Sequence, residues 1–584
     1  MRPPDLQQTY ALAIENHQAG RLREAEEQYR RILVQRPDHA DAMQMLGVLL
    51  GDMGNAAAGE ELIRRAIAIN PNAPQYHGNL GMILARQGRT SEAMVPYRRA
   101  LSLYPQYPEA ENNLALAMLQ QGQIDEALAH FRRSVALRPQ YEEAYIGLGN
   151  ALLETGRLQE TVASYRRAIV LSACSQAWHN LLFALHFDVS FDSKRLLEEH
   201  RRWAQLCADR FAPPRDGPGA VDSSTGRLRI GYVSPDLREH PVGWFLAPLL
   251  ENRNHERFEA FCYADVANAD ATTARLKAAS DVWRDTIRMT DEQLAGHIRE
   301  DRIDILIDLA MHTGRRLLVF ARKPAPVQAS YLAYCSTTGL KTIDFRLTDP
   351  YLDTPQKAAE AYSEQSIFLP RTYWCYQPLA LAPPVEPPPM RKSQVVTFGC
   401  LNSYRKVTDA TLSLWSKLLS EVNSSHLLIH SPQGSHRQRV SDHFAAAGED
   451  PARIRFVEPQ PAGQYLATYH EIDVALDPLP YGGGTTTCDA LWMGAPVVSL
   501  RGRTAVGRAG ASILANVGLC DLIAETPERY IRIAAALAAD TSRLIELRGT
   551  LRARMQASPL MDAPQFARDF EAALREMWRE RGKQ

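Results

Sequence analysis

The stretch IDVALDPLPYGGGTTTCDALWMG, residues 472–494, decides the fold class of the C-terminal part of the chain. IDVALDPLP is a short apolar run stopped by prolines, the pattern of a buried strand, and TTTCDALWMG reads as the first turns of a helix. A strand passing directly into a helix is the building unit of a parallel α/β sheet. Between the two stand Gly482, Gly483 and Gly484, and glycine in such number is costly to order. The junction has two readings. It is a glycine-rich turn with a threonine N-cap and Asp489 as a first-turn acid, or it is a seat for a diphosphate. In the second reading the glycines allow close approach, the hydroxyls of Thr485 and Thr486 donate to phosphate oxygens, and Asp489 accepts from a ribose hydroxyl. The run is neither GxGxxG nor a Walker loop, so spacing alone leaves both readings open.

The same strand–helix rhythm extends outward. VVTFGCLN, HLLIHSPQ and RIRFVEP precede the junction as further strands, and LRIGYVSPDL, FEAFCYAD, DILIDLAM, PVQASYLAY and DFRLTDP repeat the pattern upstream. The segment LALAPPVEPPPM, residues 379–390, carries five prolines and is an interdomain connector. The chain therefore divides into Rossmann-like domains at 228–378 and 391–560, with an amphipathic terminal helix in 561–584. Two such domains imply a cleft at the carboxyl ends of their strands. Lys406, in a loop after VVTFGCLN and beside Arg405, is placed to reach that cleft, although a loop lysine is ordinarily a solvated charge. Asn402 and Ser403 share its loop.

The first third of the chain follows a different rule. Gly20, Gly54, Gly88, Gly122 and Gly156 recur every 34 residues, and Pro37, Pro71, Pro105 and Pro139 keep the same interval. A 34-residue helix–turn–helix with this pattern resembles the tetratricopeptide repeat, an α-solenoid whose concave face binds extended peptide. It is expected over 1–187, followed by a helical cap and linker over 188–227 that includes the proline- and glycine-rich stretch FAPPRDGPGAVDSSTG. Asn79 and Asn113, and Asn180 one residue out of register, form a candidate ladder for an acceptor backbone, since an asparagine amide both donates and accepts. Tolerated surface asparagine is the alternative, because the equivalent positions hold Met45 and Gly147. The recurring Arg-Arg pairs are read as solvated helix faces, with acidic residues following them.

Composition narrows the classes. At 584 residues with a formal net charge of −1, the chain carries no global field for nucleic acid or an anionic membrane. An RNA-binding array would need a basic stripe that is missing. The eight cysteines form no CxxC pair or metal-ligand spacing, which fits reduced thiols in a reducing compartment. No DxD motif with a plausible loop context and no His/Asp cluster with ligand spacing appears, so no metal is expected. Neither a signal peptide nor a membrane span is visible, and the cytoplasm is the expected location.

Taken in order, the repeats, LREHPVGWFLAPLL, AMHTGRRLLVFARKPAPVQASYLAYCSTTG, FGCLNSYRKVT and ALDPLPYGGGTTTCDALWMGAPVVSL strongly resemble the O-linked N-acetylglucosamine transferase family, which also includes SPINDLY-type O-fucosyltransferases. The resemblance implies a GT-B fold of two Rossmann-like domains, a nucleotide-sugar donor, inversion at the anomeric carbon, no metal and no other cofactor. It implies a protein acceptor delivered along the repeats. Its uridine-diphosphate pocket maps onto Lys406, Thr485, Thr486 and Asp489, with Asn402, Ser403, Gly483 and Gly484 beside them. His240 of HPVG matches a histidine at the family's reaction centre, as base candidate or in another role. His312 of MHTG, Asp304 and Thr337-Thr338-Gly339 are expected to line the same cleft. Arg508 and Ser512 match a family segment that packing explains equally well. Two departures concern the donor: Gly484 replaces a bulkier polar residue, and QPAGQYL, residues 460–466, lacks the lysine and histidine that contact nucleotide in animal enzymes. The expected function is protein O-glycosyl transfer from UDP-N-acetylglucosamine. The rivals are GDP-fucose as donor, and a scaffold with a degraded catalytic half.

Overall fold

The computed structural model describes residues 6–213 and 226–581. Most of the expected linker, residues 211–226, thus lies outside the described residues. The chain forms two compact units that part between Ser172 and Ala173.

The first unit is built from antiparallel helix pairs, beginning with Leu6–Gln18 and Leu22–Gln35 and ending with Glu142–Glu154 and Leu158–Leu171. Each pair turns at a repeat glycine. Gly20, Gly54, Gly88, Gly122 and Gly156 all have φ between +68° and +87°, the left-handed conformation that closes a helix and that side chains resist. The 34-residue interval in the sequence is therefore the interval of this turn. Tyr29, Ile63, Tyr97, Phe131 and Tyr165, at one repeat position, are all buried between the helices.

The second unit opens with the helices Ala177–Ala184 and Ser193–Trp203 and continues into two α/β halves. Among the described residues the first half holds β1 (Leu228–Ser234), β2 (Phe258–Ala264), β3 (Val282–Asp285), β4 (Ile305–Asp308), β5 (Val327–Ser330), β6 (Phe345–Thr348) and β7 (Gln365–Phe368). They lie in the order 3-2-1-4-5-6-7 and every pairing is parallel. The second half holds β8 (Val396–Cys400), β9 (Ser425–His430), β10 (Ile454–Val457), β11 (Val474–Leu476), β12 (Val497–Leu500) and β13 (Ile523–Ala524). Their order is 10-9-8-11-12-13, again parallel. Both are doubly wound sheets whose order reverses beside β1 and β8, and ligands of such sheets sit at that reversal, beyond the carboxyl ends of the strands.

The opposite, amino ends of the strands share a clamp. Asp281, Asp304, Asp344 and Asp473 each directly precede a strand and accept the N–H of Ala260, Arg229, Gln328 and Thr397 on its neighbour, at 2.7–2.8 Å. The halves are tied to each other by the helix Ala563–Glu580, whose Glu571 takes the Asn254 N–H at 2.6 Å and whose Phe570 packs on Tyr331. Arg508 and Ser512 also join them. The Arg508 guanidinium donates to Asp353 at 2.7 Å and the Ser512 hydroxyl to Asp349 at 2.6 Å, all four residues being buried. No helix among the described residues is long and apolar enough to cross a membrane.

Candidate functional site

Gly482–Gly484 connect the end of β11 to the helix Thr485–Trp492, at the carboxyl end of the second sheet. Gly484, not a threonine, occupies the N-cap position, so the cap brings no side chain to the first helical N–H groups. That leaves the helix start as an anion seat, where amide hydrogens and the dipole converge. Gly483 is required for packing. A Cβ there would stand 2.2 Å from the Thr487 hydroxyl and 2.7 Å from Asp477 Oδ1.

Lys406 ends the short 3-10 turn Tyr404–Lys406 that follows β8. Its Nζ donates to Gly482 O at 2.8 Å and to Asn402 Oδ1 at 3.3 Å, and lies 4.3 Å from the centre of the Tyr481 ring. The same Asn402 oxygen accepts from the Thr486 hydroxyl at 2.8 Å. Lys406, Asn402, Thr486 and the glycine loop are thus one connected group, with Ser403 at the N-cap of the lysine's turn. Burial pushes the Lys406 ammonium down to about 8, opposed by the nearby Asp477 charge and assisted by Arg405. Thr485 is the first residue of the helix. Asp489 is buried deeper, with one carboxylate oxygen accepting from Tyr376 at 2.8 Å and the other from Tyr465 at 3.1 Å. Burial raises its carboxyl to about 6.

The first half faces this group with His240, the N-cap of the helix Pro241–Glu251 after β1. Its Nδ1 accepts the Val242 N–H at 3.3 Å, with Asp236 Oδ2 at 3.7 Å. Accepting at Nδ1 places the proton of the neutral ring on Nε2, so in this arrangement the outer edge donates. Basic action at Nε2 requires moving that proton to Nδ1, where Asp236 would face it. Burial lowers the His240 pKa, Asp236 opposes this, and Arg238 and Arg405 add to it. Arg405, whose charge His240 feels, is the residue next to Lys406. Trp374, reaching over from the first half after β7, puts its indole edge 3.5 Å from where a Gly484 Cβ would be.

Other expected residues lie elsewhere. Asp304 is at the amino end of β4, one of the strand clamps described above; the aspartate at the cleft end of that strand is Asp308, which accepts the Ala310 N–H at 3.0 Å. His312 is buried behind the cleft. Its Nδ1 is 3.0 Å from His179 Nδ1, its Nε2 is 3.0 Å from Thr338 O, and its ring packs edge-on against Trp203. Thr337 and Thr338 bind the buried Glu364 carboxylate, and Gly339, at φ +81°, abuts the His200 backbone. Asn79 and Asn113 lie one repeat apart, both partly buried, in the first unit, whereas Asn180 lies on the helix Ala177–Ala184 of the second. Asp477, Trp374, Tyr376 and Tyr465 escaped the sequence reading. Asp477 alone carried a signal, as the acid ending the strand that feeds the glycines. Among the described residues no group of three or more His, Cys, Asp or Glu is arranged to hold a metal ion.

The histidines around His312 give the fold an acid limit. Burial lowers His179 and His200 to about 4, and His186 and His312 also fall well below 6.5. Between pH 6.5 and 4 the unfolded chain therefore binds more protons than the folded one. The stability from these neutral rings is present above 6.5 and is lost as pH falls toward 4. Melting temperature should drop steeply from pH 6.5 to 5; a flat profile there would contradict neutral buried rings.

A family model for glycosyl transferase family 41 matches residues 175–380 and 391–570. Tetratricopeptide repeat models match 10–50, 45–108 and 112–177, and a further one 84–133. Among solved structures, a mutant of Thermobaculum terrenum O-GlcNAc transferase is 35% identical with a TM-score of 0.82, covering 87% of this chain and 98% of that one. The probable UDP-N-acetylglucosamine–peptide N-acetylglucosaminyltransferase SPINDLY of Oryza sativa subsp. japonica is 36% identical over 415 residues, 69% of this chain and 44% of that protein. The probable UDP-N-acetylglucosamine–peptide N-acetylglucosaminyltransferase SEC of Arabidopsis thaliana is 30% identical over 401 residues, 65% of this chain and 41% of that protein. The chain spans less than half the length of these curated relatives. With both α/β halves matched and the cleft between them built as described, the chain belongs to glycosyl transferase family 41.

Proposed function

We propose that the chain is an inverting protein O-glycosyltransferase that moves N-acetylglucosamine from UDP-N-acetylglucosamine to a Ser or Thr hydroxyl. The observation that carries this reading is Lys406, held by Gly482 O and Asn402 beside a helix start whose cap brings no side chain. The acceptor oxygen attacks the anomeric carbon from the face opposite the phosphate. The bond from that carbon to the β-phosphate oxygen breaks, the hydroxyl proton passes to a base, and UDP leaves with the bonding pair. Charge then builds on the diphosphate, where Lys406 and the Thr485–Thr486 end of the helix oppose it without a metal. The names of the relatives support the donor, and the repeats suit a protein acceptor. All eight cysteines, each within the described residues, are free thiols, which fits a reducing compartment such as the cytoplasm.

Differential scanning with UDP, GDP and their sugars, followed by mass analysis of protein extract incubated with UDP-N-acetylglucosamine, tests the reading. UDP should stabilise the protein, and acceptors should gain one N-acetylhexosamine. Stabilisation by GDP in place of UDP would transfer the assignment to a fucose donor. Indifference to every nucleotide would leave a scaffold.

A further inference from the structure

Tyr481 stands between two fixed points of the loop that carries the glycines. Two residues before it, Leu479 O accepts the Thr408 and Thr411 hydroxyls, each at 2.8 Å; two residues after it, the Gly483 N–H donates to Asp477 at 3.2 Å. The main chain at Tyr481 is therefore held independently of its side chain. The ring is held by the segment that opens the second unit. Phe187, 1% exposed at the end of the 3-10 turn Leu185–Phe187, stacks on it with centres 5.3 Å and planes 20° apart, and Phe183 of the helix Ala177–Ala184 meets it edge-on at 6.2 Å. Both are favoured arrangements of aromatic pairs.

Against this braced ring lies the Lys406 ammonium, 4.3 Å from its centre. An ammonium has three donors. Two go to Gly482 O and Asn402 Oδ1, at 2.8 Å and 3.3 Å, and one remains for a phosphate oxygen. A lysine head on its flexible four-carbon stem needs a further restraint to stay in one place. A carboxylate would supply it but would cancel the charge that a diphosphate needs. A ring face attracts the cation, uses none of its donors and leaves its charge in place. We propose that Tyr481 is a positioning residue for Lys406: its ring face, braced by Phe187, holds the ammonium where the diphosphate arrives. This rests on the diphosphate reading of the pocket. Phe183 extends the brace to the neighbouring cation, since the Arg405 guanidinium lies over its ring, 5.6 Å from the centre.

Titration calorimetry with UDP, and with GDP as a second diphosphate, tests the proposal on the full chain. Tyr481→Leu should weaken binding about tenfold, the loss of one desolvated cation–π contact, and Tyr481→Phe, which keeps the ring face, should recover all but about threefold. In a Lys406→Ala background Tyr481→Leu should cost less than about twofold, because the group it positions is gone. Phe187→Leu should cost about threefold alone and nothing further beside Tyr481→Leu. Tyr481→Met, which fills the volume without a ring face, repeats the comparison if leucine lowers the melting temperature. Equal losses in Tyr481→Phe and Tyr481→Leu would place the effect in the hydroxyl, and a loss that persists in full without Lys406 would place it in a direct contact of ring and nucleotide. Either result overturns the proposal, as does unchanged affinity in Tyr481→Leu; additive losses from Phe187→Leu and Tyr481→Leu would overturn the brace. Failure of the wild type to bind either diphosphate would instead take down the pocket reading, and this proposal with it.

Discussion

Lys406→Ala should lower kcat/KM for sugar transfer by about 10²–10³, the usual consequence of removing one group aimed at developing transition-state charge. Its melting temperature should nevertheless stay level or rise. The ammonium is held at about 8 by burial, so the folded chain spends stability to keep it charged. Its hydrogen bonds to Gly482 O and to the buried Asn402 return only part of that cost. A residue that weakens the fold while serving the reaction has this double signature, and a paired melting and kinetic measurement reads it. A large fall in melting temperature with activity retained would make Lys406 a structural lysine.

The second large effect separates two adjacent glycines. Gly483→Ala would drive a Cβ to 2.2 Å from the Thr487 hydroxyl, 2.7 Å from Asp477 Oδ1 and 2.8 Å from the Thr486 hydroxyl. These are the atoms that shape the turn, and none sits on a long flexible side chain. Overpacking of this kind costs about 1–3 kcal/mol and moves the helix start, so nucleotide binding should fall by at least about a hundredfold. Gly484→Ala meets only the edge of Trp374, at 3.5 Å and 3.8 Å, which is ordinary contact. Stability should change by less than about 0.5 kcal/mol and binding by a few-fold at most. Equal losses in both variants, measured by calorimetry with UDP, would show that glycine is needed at 484 for a reason other than space.

What was legible in the sequence was what a local rule writes there. The solenoid showed because every turn needs a left-handed residue, and glycine therefore marks each one. The buried strands showed as apolar runs, whereas β3 (VWRD) and β7 (QSIF) lie at the sheet edges, with fewer apolar residues to betray them. The glycine loop showed for its composition, and Lys406 for its place after a strand. Residues brought in from far along the chain left no trace: Tyr376 meets Asp489 across 113 positions, and His312 meets His179 across 133. Asp304 and Asp308 illustrate the difficulty at short range. Both flank the same apolar run, four positions apart, and only strand direction says which end faces the cleft.

The buried join of Arg508 with Asp353 and Ser512 with Asp349 bears on how freely the two halves can part. A wide hinge opening of the two halves would pull a guanidinium from a carboxylate that are each less than 10% exposed. Opening there would expose both groups to water and break a buried ion pair together with a buried hydrogen bond, so the join acts as a latch that favours the closed arrangement of the two halves.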